Sequence, residues 1–113
     1  MKKYGFNMLW MFACNGQEPK KANKKELDFI AKHGFNFIRI PTDYTFWTKD
    51  FDYLHPDEKV LENIDKYFEE CKKRNLHMCL NFHRTPGYCI NGNNREKHNL
   101  WTDEEALEGF VFL

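Results

Sequence analysis

The stretch GFNFIRIP, Gly34–Pro41, runs from a helix-stopping glycine straight into aromatic and β-branched residues. That make-up is a buried strand's, and Pro41, with no N–H to give a central ladder, is expected to close it. Strand alternation puts Arg39 on one face with Phe35 and Phe37, and Ile38 with Ile40 on the other. A guanidinium inside so apolar a run must meet an anion or several acceptors to offset its desolvation. A salt bridge at a strand end would serve, and so would a ligand-facing site.

Working outward, Asn23 can cap a helix over about 24–33, with Glu26 three positions on, Leu27, Ile30 and Ala31 on one face, and Gly34 as the left-handed stop. An earlier apolar run, about 4–12, reads as a strand with the polar exit loop CNGQEPKKA. Downstream, Val60, Leu61, Ile64, Tyr67, Phe68 and Cys71 mark the 3.6 period of a helix over about 57–74, with Asn75 as its stop. A third strand, about 76–82, follows. Thr102 and Glu105 then suggest a capping box for a helix over about 103–113. Strand and helix alternate three times, the pattern of parallel strands with right-handed crossovers. Three parallel strands leave open edges, so the chain is expected to be part of a larger sheet and to pair or self-associate through those edges.

The 113 residues form a single unit, 42% apolar with eleven phenylalanines, enough for a core. Seventeen basic residues balance seventeen acidic ones, so no net field favours nucleic acid or an anionic membrane. No segment approaches the roughly 20 apolar residues that span a bilayer. Cys14, Cys71, Cys79 and Cys89 are scattered through apolar segments and read as free thiols of a reducing compartment. A cytoplasmic location is therefore favoured, although the lysines and short apolar run of Met1–Cys14 leave secretion open.

Parallel α/β proteins bind ligands beyond the carboxyl ends of their strands. There the second strand brings Arg39, and the third brings Asn81 and His83, which share a face by alternation. Trp10, Phe12, Tyr44, Phe46, Trp47, Tyr88 and Trp101 follow the strands; singly they suit a satellite core, and as a set they suit a cleft for sugar rings. Metal ligation by Cys71, His77, Cys79, His83, Cys89 and His98 is disfavoured, because no Cys-x-x-Cys or His-x-x-x-His pair occurs. Cys89 has no helix start behind it to activate a thiolate. Gly87 and Gly92 belong to no phosphate-binding fingerprint.

GFNFIRIPTDYTFW, LHMCLNFHRTPGYCIN and LWTDEEALEGF together resemble the N-terminal part of glycoside hydrolase family 5, nearest to its endoglucanase-like bacterial members. The likeness rests on an Arg-Ile-Pro strand end combined with His-x-x-Pro-Gly-Tyr. It implies an α/β fold made of the N-terminal three β/α units of a (β/α)8 TIM barrel with parallel strands, the barrel being incomplete here. A full barrel takes about 250 residues. It also implies a retaining β-glycosidase acting on β-glucan-type polysaccharide, with no cofactor and no metal. The family uses two glutamates about 5 Å apart, one ending the fourth strand in an Asn-Glu pair and one ending the seventh. None of the ten glutamates here ends an expected strand, so the chain alone is expected to be inactive. By position, Arg39 corresponds to the family's support of the nucleophile and His83 to a substrate contact near the cleaved bond. Tyr44, Trp47 and Tyr88 are further candidates for glycan contact.

Overall fold

The computed structural model describes residues 1–12, 18–89 and 96–112; Cys14 and Gly92 lie outside them. Asn23 and Gly34 bracket the first helix as their chemistry requires. The Asn23 side chain accepts from the Glu26 N–H at 3.2 Å, α1 runs Lys24–Lys32, and Gly34 takes φ +82°. Asp57 caps α2, Glu58–Lys73, by accepting from the Lys59 N–H, and Asn75 stops it with φ +56°. Both caps satisfy first-turn N–H groups that have no partner inside the helix. The strands are β1 (Gly5–Asn7), β2 (Phe37–Asp43), β3 (His77–Thr85) and the short β4 (Tyr88–Cys89); α3 spans Glu104–Phe112.

The sheet order is β1-β2-β3-β4, parallel except for the antiparallel β3–β4 hairpin. Ile38 and Ile40 are fully buried on the face that carries the helices, in one cluster with Leu27 and Ile30 of α1 and Tyr67 and Cys71 of α2. Phe68, expected on the apolar stripe of α2, is instead 49% exposed with the Lys72 ammonium over its ring. Outside the core, Arg74 bonds Asp28 and Glu70, tying α1 to α2; hydrogen bonds from Lys73 and then Arg74 hold the Glu70 carboxyl at about 2. That contribution is present above the ordinary glutamate range and fades as pH falls towards 2. No helix among the described residues is long and apolar enough to cross a membrane.

Four boundaries differ from the sequence reading, the simplest being the third strand, which runs His77–Thr85 rather than ending near 82. β1 stops at Asn7, and pairing resumes only as a bridge between Met11 and Thr42. β2 continues through Pro41 to Asp43. The Arg39 carbonyl and the Asp43 N–H both bond towards the first strand's chain, to Met8 and Met11, so Pro41 faces the gap where that chain leaves the ladder. No bond is lost by its missing N–H. At the third helix, Thr102 bonds the neighbouring Asp103 at 3.4 Å, and the Asp103 backbone carbonyl accepts from the Leu107 N–H.

β3 contains an irregularity. Thr42 pairs with Phe82, but Asp43 pairs with Arg84, leaving His83 as an extra residue without a partner on β2. A bulge of this kind breaks alternation and re-aims the side chains that follow. β3 then ends in a turn at Gly87, φ +75°, where an added Cβ would lie 2.5 Å from the Leu100 nitrogen and 2.8 Å from the Ala106 Cβ; at Gly34 the same atom would meet nothing within 4 Å.

Gly34→Ala should therefore cost only the left-handed backbone penalty, about 1–2 kcal/mol. Gly87→Ala adds overpacking of about 1–3 kcal/mol. Urea unfolding of the two variants, followed by circular dichroism, should rank them in that order; equal losses would show that residues around Gly87 yield freely.

Candidate active site

Arg39 lies half-buried on the sheet face opposite Ile38 and Ile40. Parallel register sets it level with Asn7, and its guanidinium donates to Asn7 Oδ1 at 3.1 Å and to Asn81 Oδ1 at 2.6 Å. One residue from each of three adjacent strands thus forms a polar row. Among the described residues no carboxylate comes within ion-pair distance of Arg39. Amide oxygens satisfy part of its donor fork without neutralising its charge, so it can still receive an anionic group from the barrel's interior.

His83 is the bulged residue. Its ring meets Phe12 edge to face at 5.1 Å, and the Arg84 guanidinium lies over the same Phe12 ring at 4.9 Å. Consecutive residues of a regular strand point to opposite faces, so sharing one ring is the bulge's doing. Among the described residues the His83 ring nitrogens have no hydrogen-bond partner, which leaves them to a ligand.

Beyond the bulge, Arg84 and Asp43 pair at 2.8 Å with side chains 7% and 2% exposed. Asp43 also accepts from the Thr45 N–H and hydroxyl, which turns the chain into a short 3-10 segment, Tyr44–Phe46. The Tyr44 hydroxyl donates to Glu96 at 2.5 Å. Burial, then Glu96, pushes the Tyr44 phenol far above its ordinary range, and burial likewise raises the Glu96 carboxyl. Tyr53 hydrogen-bonds His98, and burial followed by the Glu96 charge pushes its phenol up to about 12.

Tyr44 and Trp47, expected to contact glycan, are each 1% exposed. Tyr44 is committed to Glu96, and Trp47 lines a cavity of about 220 Å³ with Leu61, Ile64, Leu80, Phe82 and Phe112. Burial of both rings removes them from ligand contact, and their place is the core between the second strand's exit and the outer helices. Tyr88 is 41% exposed. The sequence reading passed over Asn7, which the parallel register with Arg39 would have flagged, and Glu96, for which a polar loop gives no local signal. Among the described residues no group of three or more His, Cys, Asp or Glu side chains could hold a metal ion.

The profile of Cellulase (glycosyl hydrolase family 5) matches residues 1–108. The chain belongs to glycosyl hydrolase family 5. A crystal structure of a glycoside hydrolase is 60% identical and superposes with a TM-score of 0.93, covering 99% of this chain and 34% of that one. The family 5 sheet described above is accordingly part of a (β/α) barrel wall. Endoglucanase C of Acetivibrio thermocellus is 38% identical over 65 residues, 58% of this chain and 19% of that protein. Cellodextrinase A of Ruminococcus flavefaciens is 27% identical over 111 residues, 92% of this chain and 31% of that protein. The chain spans about a fifth to a third of the length of these relatives.

Removing one member of a buried ion pair strands the other. Arg84→Ala should cost about 3–5 kcal/mol in urea unfolding; a loss no larger than the roughly 1 kcal/mol of a surface pair would show that Asp43 is rehydrated or re-paired.

Proposed function

We propose that this chain forms one wall of the cleft of a retaining β-glycosidase that hydrolyses β-glucan-type polysaccharide. In this reading Arg39 is a supporting cation, His83 and Tyr88 touch the glycan, and the acid/base and nucleophile are not among the chain's residues. What carries the reading is the Asn7–Arg39–Asn81 row, which among the described residues leaves a cation without a carboxylate on the inner face, with His83, its ring nitrogens unspent there, further along β3 towards the strand exit. A carboxylate brought to Arg39 from elsewhere in a barrel would be oriented by the fork and kept ionised by its charge. A further support is the placing of the ten glutamates: all lie on helices or in loops, and Glu96, the one nearest the strand exits, is spent on Tyr44 and the Gly87 N–H.

The 113-residue chain should release no reducing sugar from carboxymethyl cellulose and no aglycone from an aryl cellobioside, while still binding cello-oligosaccharides weakly. Turnover by the purified chain that His83→Ala abolishes would refute the assignment of supporting roles alone.

A second reading, self-association, draws on the open edges. Among the described residues the first strand's chain pairs with β2 alone, its bridge from Met11 to Thr42 included, and β4 pairs with only the last two residues of β3. Phe6, Leu80 and Phe82 are 45%, 38% and 41% exposed near those edges. Unpaired parallel edges of this kind invite a second copy. Light scattering should then show mass rising with concentration; a stable monomer at high concentration would exclude it.

A further inference from the structure

The turn after β3 is held more tightly than a surface turn needs to be. The Gly87 N–H donates to Glu96 Oε2 at 3.1 Å, and its carbonyl accepts from the Leu100 N–H at 3.0 Å. The same Glu96 oxygen receives the Tyr44 hydroxyl at 2.5 Å, and Tyr44 is fixed by the buried end of β2. One carboxylate oxygen therefore joins the exit of β2 to the exit of β3. Charge-assisted bonds to a partly desolvated carboxylate are about twice as strong as neutral ones. The raised pKa of Glu96 agrees with a carboxyl committed to the interior, facing Tyr44, Tyr53, Asp43 and Arg84.

The residues on either side of this clasp are aromatic. Tyr88 follows Gly87, Trp101 follows Leu100, and their rings meet edge to face, centroids 6.3 Å apart at 75°. Trp101 is 79% exposed, whereas Trp10 and Trp47, the chain's other tryptophans, are 5% and 1% exposed. A perpendicular pair leaves a wide indole face in water, braced by its neighbour. Such a face takes the flat C–H side of a pyranose ring, apolar on its faces and hydroxylated round its edge.

We infer that Glu96 is a positioning residue that holds Tyr88 and Trp101 as an outer platform for a glucose unit of a β-linked glucan, separate from the His83 position. This rests on the reading of the chain as the wall of a glycan cleft. The clasp acts through the backbone: Glu96 fixes the Gly87 peptide, and that peptide fixes the residues on both sides of the platform.

The test uses the 113-residue chain and cellotetraose, with acrylamide quenching of tryptophan emission, to which Trp101 is the accessible contributor. Cellotetraose should shield Trp101, and Trp101→Ala should weaken binding roughly five- to tenfold, the size of one aromatic contact. Glu96→Ala should weaken binding and shielding similarly, and Glu96→Gln should restore most of both, since its amide oxygen can accept both bonds. If Glu96→Ala fails to fold, Tyr44→Phe takes its place, releasing the carboxylate from β2 at nearly constant volume. Wild-type binding and shielding in the folded Glu96→Ala or Tyr44→Phe variant would overturn the positioning role. Binding that leaves Trp101 fully quenchable, yet is lost in His83→Ala, would overturn the platform and keep the cleft. Shielding that survives Arg39→Ala and His83→Ala would keep the platform and count against the cleft. No binding at all would overturn both.

Discussion

A single extra residue in β3 sets the geometry of this end of the molecule. Up to Thr42 and Phe82 the two central strands keep strict parallel register; His83 then interrupts it, and Arg84 comes opposite Asp43. Without the interruption Arg84 would point with Phe82 towards the helices, and Asp43 would be left without its cation among the described residues. A buried carboxylate in that position is untenable unless it is neutralised. The bulge and the ion pair thus require one another, and both His83 and Arg84 reach the Phe12 ring because of it.

From that junction the polar architecture spreads in two directions. Down the inner face runs the Asn7–Arg39–Asn81 row, with every contact made across strands. Outward, Asp43 turns the chain at Thr45, Tyr44 meets Glu96, and Glu96 meets Gly87. The inner row is incompletely neutralised, while the outer network is largely closed on itself. That contrast separates groups free for a ligand from groups that shape the site.

Much of the outer layer was legible in the sequence. Asn23, Gly34 and Asn75 act locally, each through its own side chain or backbone preference, so the ends of α1 and α2 could be read directly. Arg39 was legible as an anomaly in an apolar strand. The bulge was not, because inserting one residue changes neither composition nor propensity, and alternation carried past Asn81 takes no account of it. Tyr44 and Trp47 suit glycan contact and core equally in sequence, because a ring suited to a sugar is equally suited to a core; only packing distinguishes the two. Glu96 was invisible for the opposite reason: its partners are 52 and 9 positions away, and a lone acid in a polar loop carries no periodicity.

The Asp43–Arg84 pair also bears on heat. Hydration of charged groups becomes less favourable as temperature rises, so the desolvation cost of a buried pair shrinks while apolar burial gains little more per unit area. The helices of this chain lean on apolar burial with Leu27, Ile30, Tyr67 and Cys71. The strand exits lean on charge. On warming, the outer layer should loosen first and the junction of β2 with β3 last, so that the strand exits are the most heat-tolerant part of the wall.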